Sequence, residues 1–183
     1  MYDYVIIHGS YGSPFENWFP WLFNSLEGKD KKILAPQFPT INQCYKNWEM
    51  VLNTYDQFIG EKTSFIAHSL GPAFVLDYLL KNKKHIRNLY FAAPFYGLIN
   101  IKEFDDVNKS FFIYSDLSGA KAYFKNAWCF FSDNDPYVPI FMSKEITDKI
   151  SANPIIVPNG GHLNSSAGFS EFDYLLKVIE ENE

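Results

Sequence analysis

One run in this chain changes character on a single serine, and that change restricts the fold more than any other feature. Ser64-Phe65-Ile66-Ala67-His68 is short and largely apolar, whereas Pro72-Ala73-Phe74-Val75-Leu76-Asp77-Tyr78-Leu79-Leu80 carries apolar side chains at helical spacing. A buried strand therefore gives way to a helix at Ser69. A turn this tight needs small residues two places before and two places after the serine, and it holds the hydroxyl out at the carboxyl end of the strand. Ala67 and Gly71 occupy those places, with alanine standing where the general G-x-S-x-G pattern has glycine. Pro72 suits the first helical turn, where a missing amide proton costs nothing. A serine that simply caps a helix is the plainer reading of this pentapeptide, so the rest of the chain has to separate the two.

The same alternation recurs along the sequence. Tyr4-Val5-Ile6-Ile7, Lys32-Ile33-Leu34-Ala35, Ile86 to Ala92, Ala127-Trp128-Cys129-Phe130-Phe131 and Pro154-Ile155-Ile156-Val157 have the short apolar character of strands covered on both faces. Amphipathic spacing predicts helices over Asn17 to Leu26, from Trp48 to Ile59 with an end at Gly60, over about Phe141 to Ile150, and from Phe172 to Ile179. Between Phe95 and Lys125 the pattern is broken by Asp105, Asp106, Asn108, Lys109 and Ser110, which predicts a longer excursion with one or two short helices near the site opening. Strands alternating with helices imply an α/β fold: about six strands, mostly parallel, with helices on both faces, forming one domain over residues 1–183. A single reversal of winding sets the first and third strands side by side, and ligands of such sheets bind at that point, outside the carboxyl ends of the strands. The loop His8-Gly9-Ser10-Tyr11-Gly12-Ser13-Pro14 and Ser69 then face one crevice.

Composition removes several classes of function. The net charge of -5 is spread along the chain, no long basic run occurs, and Arg87 is the one arginine, so nucleic acid and anionic membrane are poor partners. Lys81, Lys83 and Lys84 read as a solvated helix terminus. Cys44 and Cys129 are far apart and lack the paired spacing of a zinc site, which supports neither a disulfide framework nor a metal cluster. No signal peptide and no apolar run of membrane-spanning length is present, and the expected location is the cytoplasm. Aromatic residues make up 19% of the chain and are expected mainly in the core and in pocket walls.

A serine hydroxyl is a weak nucleophile unless a neighbouring base takes its proton and returns it to the leaving group, a task that suits histidine. Of the four histidines, His8 adjoins the loop glycine, His68 should point away from Ser69, and His85 precedes a strand at the wrong edge of the sheet. His162, in the turn Gly160-Gly161-His162-Leu163 after the last strand, lies at the edge where Ser69 emerges. The imidazole needs a carboxylate to fix its tautomer. Asp133 and Asp135 both follow the fifth strand; Asp135 is deeper in its loop and better able to reach the crevice, whereas Asp133 suits a turn cap. The order Ser69, Asp135, His162 is that of α/β-hydrolases. An oxyanion formed on attack requires donors already aimed at it. The Leu70 amide is one, and the Ser10 amide is the best placed second, with Tyr11 as the open alternative.

These segments, together with Asn17-Trp18-Phe19-Pro20-Trp21-Leu22 and Ser132-Asp133-Asn134-Asp135-Pro136-Tyr137-Val138-Pro139, resemble the small α/β-hydrolases of the YdeN and retinoblastoma-binding protein nine type. The resemblance spans nearly the whole chain, and an alanine two places before the serine is normal within it. It implies a compact α/β-hydrolase fold without the outermost strands or a large lid, and serine-hydrolase activity assigned to the three residues. The expected reaction is cleavage of a small ester, or an amide, through an acyl-enzyme, with no metal or organic cofactor and no protein partner indicated. Two other readings compete with this one. One is a binding module on a hydrolase scaffold, docking through Phe15, Trp18 and Trp21; the other is a flavodoxin-like nucleotide binder holding phosphate with Ser10, Gly12 and Ser13.

Overall fold

A computed structural model describes residues 1–183. Twelve regular elements alternate: β1 (Tyr4–Ile7), α1 (Phe19–Glu27), β2 (Ile33–Leu34), α2 (Tyr45–Asn53), β3 (Ser64–His68), α3 (Gly71–Asn82), β4 (Asn88–Ala92), α4 (Lys102–Asn108), β5 (Asn126–Ser132), α5 (Ile140–Lys149), β6 (Asn153–Val157) and α6 (Asp173–Asn182). The six strands form one sheet in the order β2-β1-β3-β4-β5-β6. All five pairings are parallel, so the sheet is wholly rather than mostly parallel. The reversal of winding falls where expected: β1 lies against β3, with Ile7 opposite Ala67.

Alternation along each strand divides the apolar side chains between two cores. Val5, Ile7, Phe65 and Ala67 face a larger core with α2, α3 and α5, while Tyr4, Ile6 and Ile66 face a smaller one with α1 and α6. Both faces of the central strands are thus covered, which is why these strands read as continuous apolar runs. No helix is long and apolar enough to cross a membrane.

Of the boundaries that differ from the sequence expectation, three have a clear local reason. The helix expected from Trp48 to Ile59 ends at Asn53, and a single 3-10 turn, Asp56–Phe58, continues the apolar spacing. At that end the Thr54 hydroxyl donates to the Val51 carbonyl at 2.7 Å, a local bond that competes with further α-helical bonding. The first helix starts at Phe19 instead of Asn17, because Asn17 is left-handed (φ 53°) and Pro20 sits in the first turn. The fourth strand begins at Asn88; Ile86 donates its amide to Tyr123 outside the sheet.

The excursion after β4 holds α4 and two 3-10 turns, Lys109–Phe111 and Ser118–Tyr123. It is tied to α3 by a buried carboxylate. Asp77 Oδ1 accepts from the Tyr96 hydroxyl at 2.7 Å, and that hydroxyl in turn accepts from the Tyr114 amide at 2.8 Å. Burial pushes the Asp77 carboxyl up to about 7, opposed by the Tyr96 hydrogen bond. Phe111 inserts into the larger core, so this excursion is packed down beside the sheet.

Candidate active site

The turn between β3 and α3 has the geometry its composition demanded. Ser69 adopts φ 59°, a left-handed conformation that is uncommon for a serine, and its amide donates to Ala92 on the neighbouring strand at 2.9 Å. The smallness of the flanking residues has a measurable cause. A Cβ on Gly71 would lie 2.9 Å from the Ile7 carbonyl oxygen and 3.0 Å from that of His8. A Cβ on Gly9, from the facing loop, would lie 2.8 Å from Ser69 Cβ. The β1 loop and the serine turn are pressed together at the switch point.

Three side chains from separate loops meet there in a row. Ser69 Oγ is 3.0 Å from His162 Nε2, and His162 Nδ1 is 2.7 Å from Asp135 Oδ2. The other carboxylate oxygen, Oδ1, accepts the backbone amides of Tyr137 at 2.9 Å and Val138 at 3.0 Å. With its side chain only 4% exposed, Asp135 is locked in place. A carboxylate that faces Nδ1 fixes the proton there, leaving Nε2 as the acceptor for the serine hydroxyl. Asp133 does not cap its own turn. Its Oδ1 accepts the Asn159 amide at 2.8 Å, bridging to the loop that carries His162.

The amides of the facing loop differ in their partners. Tyr11 donates its amide to Gln43 Oε1 at 2.9 Å, whereas the amides of Ser10 and Leu70 make no hydrogen bond within the protein. The Tyr11 amide is thus engaged, and those of Ser10 and Leu70 are free. His8 sits beneath this loop, 1% exposed, accepting the Phe38 amide on Nε2 at 3.0 Å and donating from Nδ1 to the Gly9 carbonyl at 2.8 Å. Burial lowers its pKa to about 4, against the raising effect of the Gly9 bond, so it stays neutral.

His68 lies on the expected side of the sheet but is not remote from the site. Strand alternation places it on the α1 and α6 side, between Trp18 and Phe19, yet the His162 loop crosses that side. Its Nε2 donates to the His162 carbonyl at 2.9 Å, and the two rings stand 4.9 Å apart. Burial, aided by the nearby His162, lowers its pKa to about 3. His68 therefore supports the His162 backbone as a neutral donor. Further supports were invisible in the sequence because they act over long separations: Asn134 Oδ1 accepts the Gly161 amide at 2.7 Å, and Trp18 Nε1 donates to the Leu163 carbonyl at 2.9 Å. The run Ser132-Asp133-Asn134-Asp135, dense in short polar side chains, was the one available signal that this loop is built for several bonds.

Ser69, His68 and His162 open onto a cavity of about 220 Å³. Its walls include Gly9, Ser10, Phe95, Ile99, Phe104, Asn108, Tyr137 and Val138. His85 is exposed and lies in the connection that enters β4, away from this group. No cluster of three or more His, Cys, Asp or Glu side chains is arranged to hold a metal ion.

This parallel sheet, with its serine turn at the end of the third strand, has the α/β-hydrolase fold, and comparisons with known proteins agree. The serine hydrolase family matches residues 4–181, and the chain belongs to it. It is similar to YdeN of Bacillus subtilis strain 168, with 27% identity over 179 residues, 95% of this chain and 92% of YdeN. The crystal structure of the B. subtilis ydeN product superposes with a TM-score of 0.89 at 23% identity, covering 100% of this chain and 98% of that one. Est1E from Butyrivibrio proteoclasticus, solved with ferulic acid bound, superposes with a TM-score of 0.74 at 14% identity, over 98% of this chain and 88% of Est1E.

Proposed function

We propose that the chain is an esterase-like serine hydrolase that cleaves a small ester, and less readily an amide, through an acyl-enzyme on Ser69. The observation that carries this reading is the continuous row from Ser69 Oγ through His162 to Asp135, at 3.0 and 2.7 Å, beside two unengaged amides. His162 Nε2 takes the hydroxyl proton as Ser69 Oγ bonds to the substrate carbonyl carbon. Asp135 stabilises the resulting imidazolium and keeps it oriented. The carbonyl oxygen, now an oxyanion, receives hydrogen bonds from the Leu70 and Ser10 amides, which are fixed in advance by the elbow and by the packed loop. Collapse breaks the bond to the leaving oxygen, which receives the proton from His162 Nε2. Water then attacks the acyl-serine, His162 again accepting the proton, and the carboxylic acid and free Ser69 result.

Neither alternative fares as well. The docking patch loses its centre because Trp18 is fully buried, its indole nitrogen bonded to Leu163. A phosphate cradle on the β1 loop loses two of its donors, because the Ser10 hydroxyl donates to Asn108 at 2.6 Å and the Gly12 amide to the Gly9 carbonyl at 3.2 Å.

The test is Ser69→Ala. Labelling by a fluorophosphonate probe should vanish, and turnover of p-nitrophenyl acetate should fall by roughly 10⁴ to 10⁶-fold, as removal of a triad nucleophile does. A variant labelled as strongly as its parent removes Ser69 from the reaction.

A further inference from the structure

The cavity has one buried polar side chain that the steps above leave unused. Asn108, the last residue of α4, is 2% exposed and lines the wall beside Phe95, Ile99 and Phe104. A relay of hydrogen bonds fixes which way its amide faces. The Tyr11 amide can only donate, so the Gln43 atom that receives it at 2.9 Å is Oε1. Gln43 therefore presents Nε2 to Asn108, and the Asn108 atom 2.9 Å away must be the acceptor Oδ1. The Ser10 hydroxyl donates to the same Oδ1 at 2.6 Å.

Asn108 Nδ2 is then left without a bond inside the protein. No completely buried side-chain nitrogen or oxygen lacks a partner, so Nδ2 keeps an open face, and the open space Asn108 borders is the cavity. A donor held rigidly by two bonds on its oxygen, next to an apolar wall, favours a ligand that brings an acceptor and penalises one that does not.

We propose that Asn108 Nδ2 selects the acyl group: preferred substrates are esters of short acyl chains bearing a neutral hydrogen-bond acceptor, an ether, keto or hydroxyl oxygen, close to the scissile carbonyl. The proposal rests on the reading of Ser69 as nucleophile. The acceptor is on the acyl side because His162 protonates the leaving oxygen, so the leaving group lies toward His162 and the acyl chain toward Ser10 and Asn108. It is close to the carbonyl because Ser10 supplies both an oxyanion amide and the hydroxyl that Asn108 holds. It is neutral because no lysine or arginine lines the cavity, while the Glu16 carboxylate does and would repel an anionic chain. The chain is short because about 220 Å³ is small beside the roughly 300 to 1,000 Å³ of ordinary ligand pockets.

The experiment compares p-nitrophenyl methoxyacetate with p-nitrophenyl butanoate, which differ by one oxygen for one methylene. For each protein the ratio of kcat/KM values is divided by the ratio of uncatalysed alkaline hydrolysis rates, which removes intrinsic reactivity. The parent's corrected ratio should exceed one by about tenfold. In Asn108→Asp, which keeps an oxygen for Ser10 and Gln43 and replaces only the donor facing the cavity, the preference should be lost. Asn108→Ala, which lacks the whole carboxamide, should lose it too. A corrected parent ratio near one, or a preference retained in both variants, overturns the assignment of Asn108. Ser69→Ala is run alongside: if it hydrolyses both esters at the parent rate, the nucleophile reading fails first and takes the acyl proposal with it. An inactive Ser69→Ala with no parental preference sinks the Asn108 claim alone.

Discussion

Gly9→Ala makes the contact between the β1 loop and the serine turn measurable. The new Cβ would lie 2.8 Å from Ser69 Cβ and 3.3 Å from Ser69 Oγ. Carbon atoms in comfortable contact are about 3.5 to 4.0 Å apart, so the two groups must separate by roughly 1 Å. Gly9 is not among the residues with positive φ, so alanine adds no backbone strain and the whole effect is this collision. A displacement of about 1 Å at a reacting atom costs on the order of 10²-fold in rate. Overpacking of one methyl costs about 1 to 3 kcal/mol, and at roughly 2 to 4 °C per kcal/mol the melting temperature falls only modestly. The assay is kcat/KM on p-nitrophenyl acetate beside a thermal melt. Two further glycines bracket the result. At Gly119 the nearest atom to a new Cβ is Leu80 Cδ2 at 3.5 Å, an ordinary contact, so Gly119→Ala should behave as the parent. Gly71→Ala drives its methyl into two backbone carbonyls that cannot yield, so it should lose stability as well as activity. A folded Gly9→Ala within about threefold of parental kcat/KM would refute the claim that this contact sets the serine's position.

Three other outcomes follow from the same geometry. Asp135→Asn keeps the shape of the side chain but no longer enforces a proton on Nδ1 of His162, and kcat should drop by about 10⁴-fold; a loss below tenfold contradicts the assigned role. Asn134→Ala removes the acceptor for the Gly161 amide and loosens the histidine loop, so kcat should fall roughly tenfold with KM little changed; a change confined to KM would point to substrate contact instead. The third concerns Asp77, whose pKa is raised by burial from 3.8 to about 7. Because the folded value lies above the unfolded one, its stabilising effect is complete below about pH 4 and is lost as pH rises through 7. At about 1.4 kcal/mol per unit, the loss is on the order of 4 kcal/mol. The buried His8 and His68 have lowered values and act in the opposite sense, losing stability on acidification, but they are common to both proteins. Urea midpoints at pH 4.5 and 8 should therefore show a larger alkaline loss for the parent than for Asp77→Asn, and equal slopes would count against the buried anchor.

The parts of the molecule readable in the sequence are those set by local pattern. β1 and β3 announced themselves as unbroken apolar runs because both faces are covered, and Ser69 stood out because a strand became a helix around it. Chain order then placed Asp135 and His162 at the same rim. What stayed hidden depends on contacts between distant segments. Asn108 looked like one more polar break among Asp105, Asp106, Lys109 and Ser110, yet it receives Ser10 and Gln43 across 98 and 65 residues. Alternation places His68 on the far side of the sheet, which is correct for the strand but ignores the loop that closes over it. The end of α2 falls short of the expected one because apolar spacing persists through a 3-10 turn, and periodicity alone does not distinguish the two kinds of helix.

The central claim is that a covalent intermediate forms on one hydroxyl. Rapid mixing with p-nitrophenyl butanoate, acid quenching and mass measurement of the intact protein, followed by peptide mapping, reads this directly. A gain of one butanoyl group, located on Ser69 and absent from Ser69→Ala, is expected. Hydrolysis accompanied by an adduct on any other residue, or by an adduct of equal yield in Ser69→Ala, would contradict it.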